Sequence, residues 1–132
     1  MAEIINAVAG VIIKDGKVLL TSRPSGKIYS GSWEFPGGKL EFKESGVKAL
    51  IRELKEEVDI IVLPENCKKF ISVVHEYPHG IVKLDVILIE YWLNNIYPLE
   101  NQEIYWHDFK TPCKLEPLLP TTEKILNLLL SL

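Results

Sequence analysis

The stretch from Ser45 to Val58 constrains this chain more than any other. At ~100° per residue, Val47, Leu50, Ile51, Leu54 and Val58 fall in one narrow stripe of an α-helix. Glu53, Glu56 and Glu57 gather on the opposite side, on adjacent turns. Ser45 stands where an N-cap would. Such a helix must lay its stripe on another layer, and the flanking sequence predicts strands for it. Ile4 to Ile13 is rich in Val, Ile and Ala and reads as a buried strand. Asp15-Gly16 is a turn signal, and Val18 to Thr21 reads as a second strand. Lys69 to Tyr77 and Ile81 to Leu93 predict strands around a Pro78-His79-Gly80 turn, with a short strand at Ile104 to Trp106. Pro24 to Gly38 and Asn94 to Glu103 read as loops, and Thr121 or Thr122 is placed to cap a C-terminal helix. About five strands and two helices, with hairpins among the helices, predict a mixed sheet covered by helices, in the α/β or α+β class. The hairpin turns argue against a purely parallel sheet.

The 132 residues suit one domain spanning 1–132, able to bury roughly two thirds of its unfolded surface. Apolar residues at 47% and charged residues at 25% exclude disorder as the default. The net charge of -3 argues against direct nucleic-acid binding, so an anionic ligand needs local basic groups or a metal. Cys67 and Cys113 form no CxxC pair and suit reduced thiols rather than a zinc site. His75, His79 and His107 share no metal-ligand spacing and read as structural or surface groups. The N-terminus lacks the basic region of a signal peptide, and no apolar stretch approaches the ~20 residues that span a bilayer. The expected location is cytoplasmic, away from membranes.

Crowded carboxylates on one helix face repel one another. They read either as a solvated acidic face or as ligands for a hard divalent cation such as Mg²⁺. The surrounding spacing favours the cation. Gly38 is followed by five residues and Glu44, then by seven residues and Arg52-Glu53-Leu54-Lys55-Glu56-Glu57, with Ile60 beyond. This pattern resembles the Nudix box of the Nudix hydrolase family, glycine-x5-Glu-x7-Arg-Glu-U-x-Glu-Glu-x-Gly-U, where U is aliphatic. At ~6% usage per residue, its fixed charged and glycine positions found here coincide by chance on the order of once in ten million starts. Asp59 departs from the pattern, which has glycine there to end the helix in a left-handed conformation. Trp33-Glu34-Phe35-Pro36-Gly37-Gly38-Lys39 is similar to the segment that leads into the box in MutT-type nucleoside triphosphate pyrophosphohydrolases. The resemblance implies the Nudix fold, a mixed β-sheet sandwiched between helices with the box as loop-helix-loop.

It also implies roles. Glu53, Glu56 and Glu57 match the metal-binding and catalytic glutamates, with Glu53 the candidate base. Gly37 would offer its carbonyl to a metal, and Gly37 with Gly38 lets backbone approach a phosphate. Glu44 and Arg52 would brace the loop on the helix, direct metal contact by Glu44 staying open. Glu100 lies where a loop glutamate of MutT-like enzymes reaches the metals and helps activate water; a solvated loop acid is the other reading. Arg23 would contact the nucleotide, together with Glu34, Phe35, Pro36 and Gly37. Lys27 and Lys39 could meet phosphate charge, and Trp33 and Phe35 are either a wall for a base or core. Along the fourth long strand, Val82, Leu84, Val86 and Leu88 alternate with Lys83 and Asp85, which either floor a pocket or lie on an exposed sheet end.

The implied reaction is hydrolysis of a nucleoside triphosphate to monophosphate and pyrophosphate with Mg²⁺, for which Mn²⁺ could substitute, in the sanitation of damaged nucleotides such as 8-oxo-dGTP. Thr122 stands where enzymes that read 8-oxoguanine present an asparagine. A hydroxyl cannot both donate and accept along a base edge as an amide does. Cytidine-type triphosphates and ADP-ribose therefore stay open as substrates, as does a Nudix-like nucleotide-binding domain without turnover. The expected partner is a small nucleotide, and the expected state a monomer or small homo-oligomer.

Overall fold

A computed structural model describes residues 3–132. Strands β1 (Ile4–Lys14) and β2 (Lys17–Ser22) form a hairpin. Its turn residues Asp15 and Gly16 both have positive φ, as a primed two-residue turn requires. The segment expected to be loop holds two short strands, β3 (Trp33–Glu34) and β4 (Gly37–Lys39). Helix α1 (Gly46–Val58) follows, then a 3₁₀ turn at Pro64–Asn66, β5 (Lys68–Tyr77), β6 (Gly80–Ile89), β7 (Ile104–Asp108) and α2 (Pro120–Leu130).

The sheet runs β3-β2-β1-β6-β5, with β7 also on β2 and β4 also on β1. β1 and β6 are parallel from Ile4–Ile81 to Ile12–Ile89, while the other ladders are antiparallel. The other edge of β1 is shared: β4 takes Ala7 to Ala9, and β2 takes Ile13 and Lys14. A strand covered on both faces must be apolar on both, which accounts for the near-continuous Val/Ile/Ala run of β1. Ala9 and Val11 face the layer of α2, with Val18, Leu20, Val86, Ile125 and Leu129. Val8 and Ile12 face the layer of α1, with Leu19, Leu50, Leu54, Val58, Ile87 and Ile89. Leu50, Leu54 and Val58 are fully buried, each contributing about 1.5–3 kcal/mol over exposure. The Ser45 hydroxyl accepts from the Lys48 N–H at 3.2 Å, a cap of about 1 kcal/mol.

Two further expectations are corrected. β6 ends at Ile89, not Leu93. Beyond it Leu93 makes a separate bridge to Ile61, and Trp92 stacks on Trp106 with centroids 6.4 Å apart, so apolar alternation continues past the strand. The N-cap of α2 is Leu119, with Pro120 as the first helical residue and no side-chain cap. Thr121 instead shares a hydrogen bond with the Tyr77 hydroxyl (3.3 Å), and the Thr122 hydroxyl donates to the Trp33 carbonyl (3.0 Å). Lys83 is exposed and Asp85 half-buried, the sheet-end alternative rather than a pocket floor. Asp85 accepts from the Ser72 hydroxyl at 2.6 Å and lies beside Gly46, where its charge complements the positive end of α1. No helix among the described residues is long and apolar enough to cross a membrane.

Candidate active site

α1 presents Glu53 and Glu57 one turn apart on the flank that meets β4. The close approach rests on glycine. A Cβ on Gly37 would stand 2.0 Å from the Val8 carbonyl oxygen, so only glycine lets β4 lie against β1 here. A Cβ on Gly38 would stand 2.5 Å from Cδ of Glu53, so the carboxylate occupies the space that any side chain would take. The Gly37 N–H donates to Oε2 of Glu57 at 3.0 Å.

Arg52 ties the preceding loop to this helix. Its Nε donates to Oε2 of Glu44 at 3.0 Å and its Nη2 to Oε1 at 2.8 Å, a bidentate pair. Nη2 also donates to the Lys39 carbonyl (3.3 Å), and Nη1 to Oε1 of Glu53 (2.8 Å). Glu44, which also accepts from the Glu41 N–H, is lowered to about 2, chiefly by its bond to Arg52.

Glu53, Glu57 and Glu34 move upward. Burial raises Glu53 against the opposing pull of Arg52, and Glu56 and Glu100 add to the rise. Burial pushes Glu57 up to about 9, helped by the charges of Glu53, Glu34 and Glu100. Burial also raises Glu34, although Arg23 lies against it with Nη1 2.9 Å from Oε1. Glu100 is exposed on its loop, yet its charge acts on Glu34, Glu53 and Glu57. Glu56 is exposed, 3.7 Å from Arg52. Among the described residues, no group of His, Cys, Asp or Glu is already gathered around one point as a metal cage. The donor set nonetheless suits a hard cation: carboxylate oxygens in excess, with Arg52 bound to Glu44 and Arg23 to Glu34.

These groups border a cavity of about 460 Å³. Glu53, Glu57, Gly37, Gly38 and Lys39 line one part. Ile5, Ala7, Val82, Leu84, Leu119 and Ile125 line an apolar part between the sheet and α2. Arg23, Lys27, Glu34, Phe35 and Thr122 belong to the same wall, though the Thr122 hydroxyl proton is engaged by Trp33. Pro36 is not in the lining; its carbonyl accepts from the Gly10 N–H at 2.8 Å. Trp33 belongs to the core, its ring edge against Tyr105.

The sequence reading overlooked an aromatic group here. Tyr29, Tyr77 and His79 all line the cavity, with centroids 5.7 Å apart for Tyr29–Tyr77 and 5.3 Å for Tyr77–His79. His79 was expected to be a structural or surface group; it is exposed and stands at the cavity. Gln102, buried in the loop after β6, was also missed. No local pattern marks it, because its partners are backbone atoms, one of them on α1.

The sequence profile of the NUDIX domain matches residues 8–128. An 8-oxo-dGTP diphosphatase of Haemophilus influenzae is 36% identical over 105 residues, covering 79% of this chain and 76% of that one. A CTP pyrophosphohydrolase of Escherichia coli is 50% identical over 58 residues, covering 44% of this chain and 43% of that one. The solution structure of the E. coli ORF135 protein superposes with a TM-score of 0.76 at 30% identity, over 96% of this chain and 88% of that one.

Proposed function

This chain belongs to the NUDIX domain family, in its MutT-like group, and from that premise we propose that it hydrolyses nucleoside triphosphates to monophosphate and pyrophosphate with Mg²⁺, removing oxidised nucleotides such as 8-oxo-dGTP. The observation that carries this reading is the meeting of unlike walls in one cavity. Glu53 opposes the ionisation of Glu57 at one side, and an apolar slot lies beside them. A polyphosphate and its base need those two environments next to each other.

Glu53, Glu56, Glu57, Glu100 and the Gly37 carbonyl would hold Mg²⁺, or Mn²⁺ in its place. When bound, the metal neutralises phosphate oxygens and lowers the pKa of water. Glu53 receives the proton of the attacking water on its carboxylate, and Arg52, 2.8 Å away, keeps that carboxylate oriented. Lys39 and Lys27 meet the phosphate charge from the cavity wall. The base enters the slot between the sheet and α2. There the Arg23–Glu34 pair offers a donor and an acceptor side by side, and Phe35 closes the wall.

A cytidine-type substrate is the second reading, favoured by the identity to the CTP pyrophosphohydrolase. The test is turnover of 8-oxo-dGTP, dGTP, CTP and ADP-ribose with Mg²⁺, products separated by chromatography. The expected outcome is monophosphate plus pyrophosphate, with 8-oxo-dGTP giving the highest kcat/KM. Preference for CTP overturns the substrate assignment. Tight binding of nucleotide with no turnover of any overturns the hydrolase reading.

A further inference from the structure

The loop between β6 and β7 wraps the C-terminal end of α1. A helix leaves its last carbonyls without intrahelical partners. Here the Leu99 N–H donates to the Glu57 carbonyl at 3.0 Å and the Tyr97 N–H to the Val58 carbonyl at 3.0 Å. Gln102 adds a bridge. Its Nε2 donates to the Glu57 carbonyl at 2.9 Å, and its Oε1 accepts from the Glu100 N–H at 2.9 Å. The two partners settle the amide's orientation, since one can only accept and the other only donate. Asn101 between them has a φ of 58°, a left-handed position that Asn tolerates, and this folds Glu100 back over Gln102. Gln102 is 6% exposed.

We propose that Gln102 is a positioning residue, whose buried carboxamide locks the backbone of Glu100 to the same residue, Glu57, that sends its carboxylate into the cavity. The inference rests on the reading of Glu100 as part of the catalytic machinery. Only a side chain with both a donor and an acceptor at this length can make the bridge: Glu lacks the donor, Asn is a methylene short, and Met lacks both. The bonds of Leu99 and Tyr97 do not involve Gln102, so the loop keeps its path when the bridge is cut. What is lost is the fix on Glu100, an exposed residue with no other restraint on its N–H among the described bonds.

The experiment is a double-mutant cycle of Gln102→Met and Glu100→Gln. It reads kcat and KM for 8-oxo-dGTP and CTP with Mg²⁺, the affinity for Mn²⁺ alone by electron paramagnetic resonance, and melting temperature. Misplacing a reacting group by an ångström costs up to ~100-fold in rate. Gln102→Met is expected to lower kcat about tenfold with KM nearly unchanged, and to weaken Mn²⁺ binding. In the Glu100→Gln background the same substitution is expected to change neither by more than about twofold, because the group it positions is gone. Gln102→Asn, which is neutral but a methylene short, is expected to cut the bridge with the same outcome and serves if Gln102→Met does not fold. Equal losses in both backgrounds would make Gln102 a merely structural residue and overturn the proposal. If Glu100→Gln alone changes neither kcat nor Mn²⁺ affinity, the reading of Glu100 fails and the proposal falls with it. If no nucleotide is turned over, the Mn²⁺ arm of the cycle decides alone.

Discussion

Replacing Glu57 with Gln is expected to stabilise the metal-free protein, and to stabilise it more as pH rises. An unfolded carboxyl ionises near 4.5, whereas burial and the neighbouring Glu53, Glu34 and Glu100 push Glu57 up to about 9. Between those values the folded state holds a proton that the unfolded state has released. Stability therefore falls as pH rises from about 4.5 to about 9, and levels off above. Each pH unit in that window costs about 1.36 kcal/mol, so the full effect at pH 7 is about 3 kcal/mol. Water entry and movement of the exposed Glu100 reduce it, to roughly 1–3 kcal/mol. Gln pays none of this, and its amide oxygen can still accept the Gly37 N–H. For a chain of this size the gain is about 4–10 °C in melting temperature at pH 7, shrinking toward zero near pH 4.5. The assay is thermal unfolding of both proteins in EDTA at pH 5, 7 and 8.5; their difference isolates Glu57 from other titrating groups. Saturating Mg²⁺ is expected to reverse the ranking, since the ionised carboxylate favours the cation and binding adds RT ln(1 + [L]/Kd) to the wild type. A gap that does not change with pH, or a variant less stable than wild type at pH 8.5 in EDTA, means that Glu57 is ionised in the metal-free fold and refutes the reasoning.

Glu53→Gln is expected to lower kcat at least ~100-fold with the melting temperature nearly unchanged, measured by turnover and thermal unfolding. Gly38→Ala puts a methyl where the Glu53 carboxylate lies, so activity and Mn²⁺ affinity should fall together while circular dichroism keeps its shape. Asp59 has φ 63° and ψ 27°, the left-handed cap. Asp59→Gly should therefore raise stability by up to ~1 kcal/mol, and destabilisation on melting would reveal a contact of its side chain. Thr122→Asn should shift relative kcat/KM toward 8-oxo-dGTP over dGTP and CTP by about tenfold, at the expense of the bond from Thr122 to Trp33; unchanged ratios remove residue 122 from base selection.

What the sequence could reveal depended on how far apart the partners lie along the chain. The apolar stripe of α1 and the turn at Asp15-Gly16 are local patterns, so their periods translate directly into packing and hairpin. The end of β6 is not local. Apolar alternation continues to Leu93, but Leu93 belongs to a bridge with Ile61, and pattern alone does not say which strand a residue joins. The start of α2 misled for a related reason. Threonine at a helix start usually caps, but here Pro120 already sits in the first turn, where its missing N–H is no loss. Both threonine hydroxyls are then free to bond Tyr77 and Trp33 across the layer.

The same distinction runs through the site. Glu44, Arg52, Glu53, Glu56 and Glu57 were legible because the helix and its leading loop bring them together within a short span. Burial then divides residues that composition treats alike. Glu56 projects into water, while Glu57, one residue on, is half-buried and pushed to about 9. Spacing shows that carboxylates share a helix face; only the layer packed against that face determines which of them oppose a charge. That layer is β4: Gly37 lets it lie against β1, and Gly38 leaves the room that the Glu53 carboxylate occupies. The glycines and the glutamates, separate features of the sequence, are thus one physical device: removing two β-carbons admits a strand close enough to bury a carboxylate. Keeping that carboxyl protonated costs stability as pH rises toward 9, and a cation, by favouring the ionised form, would offset that cost at the place where the proposed chemistry requires the metal.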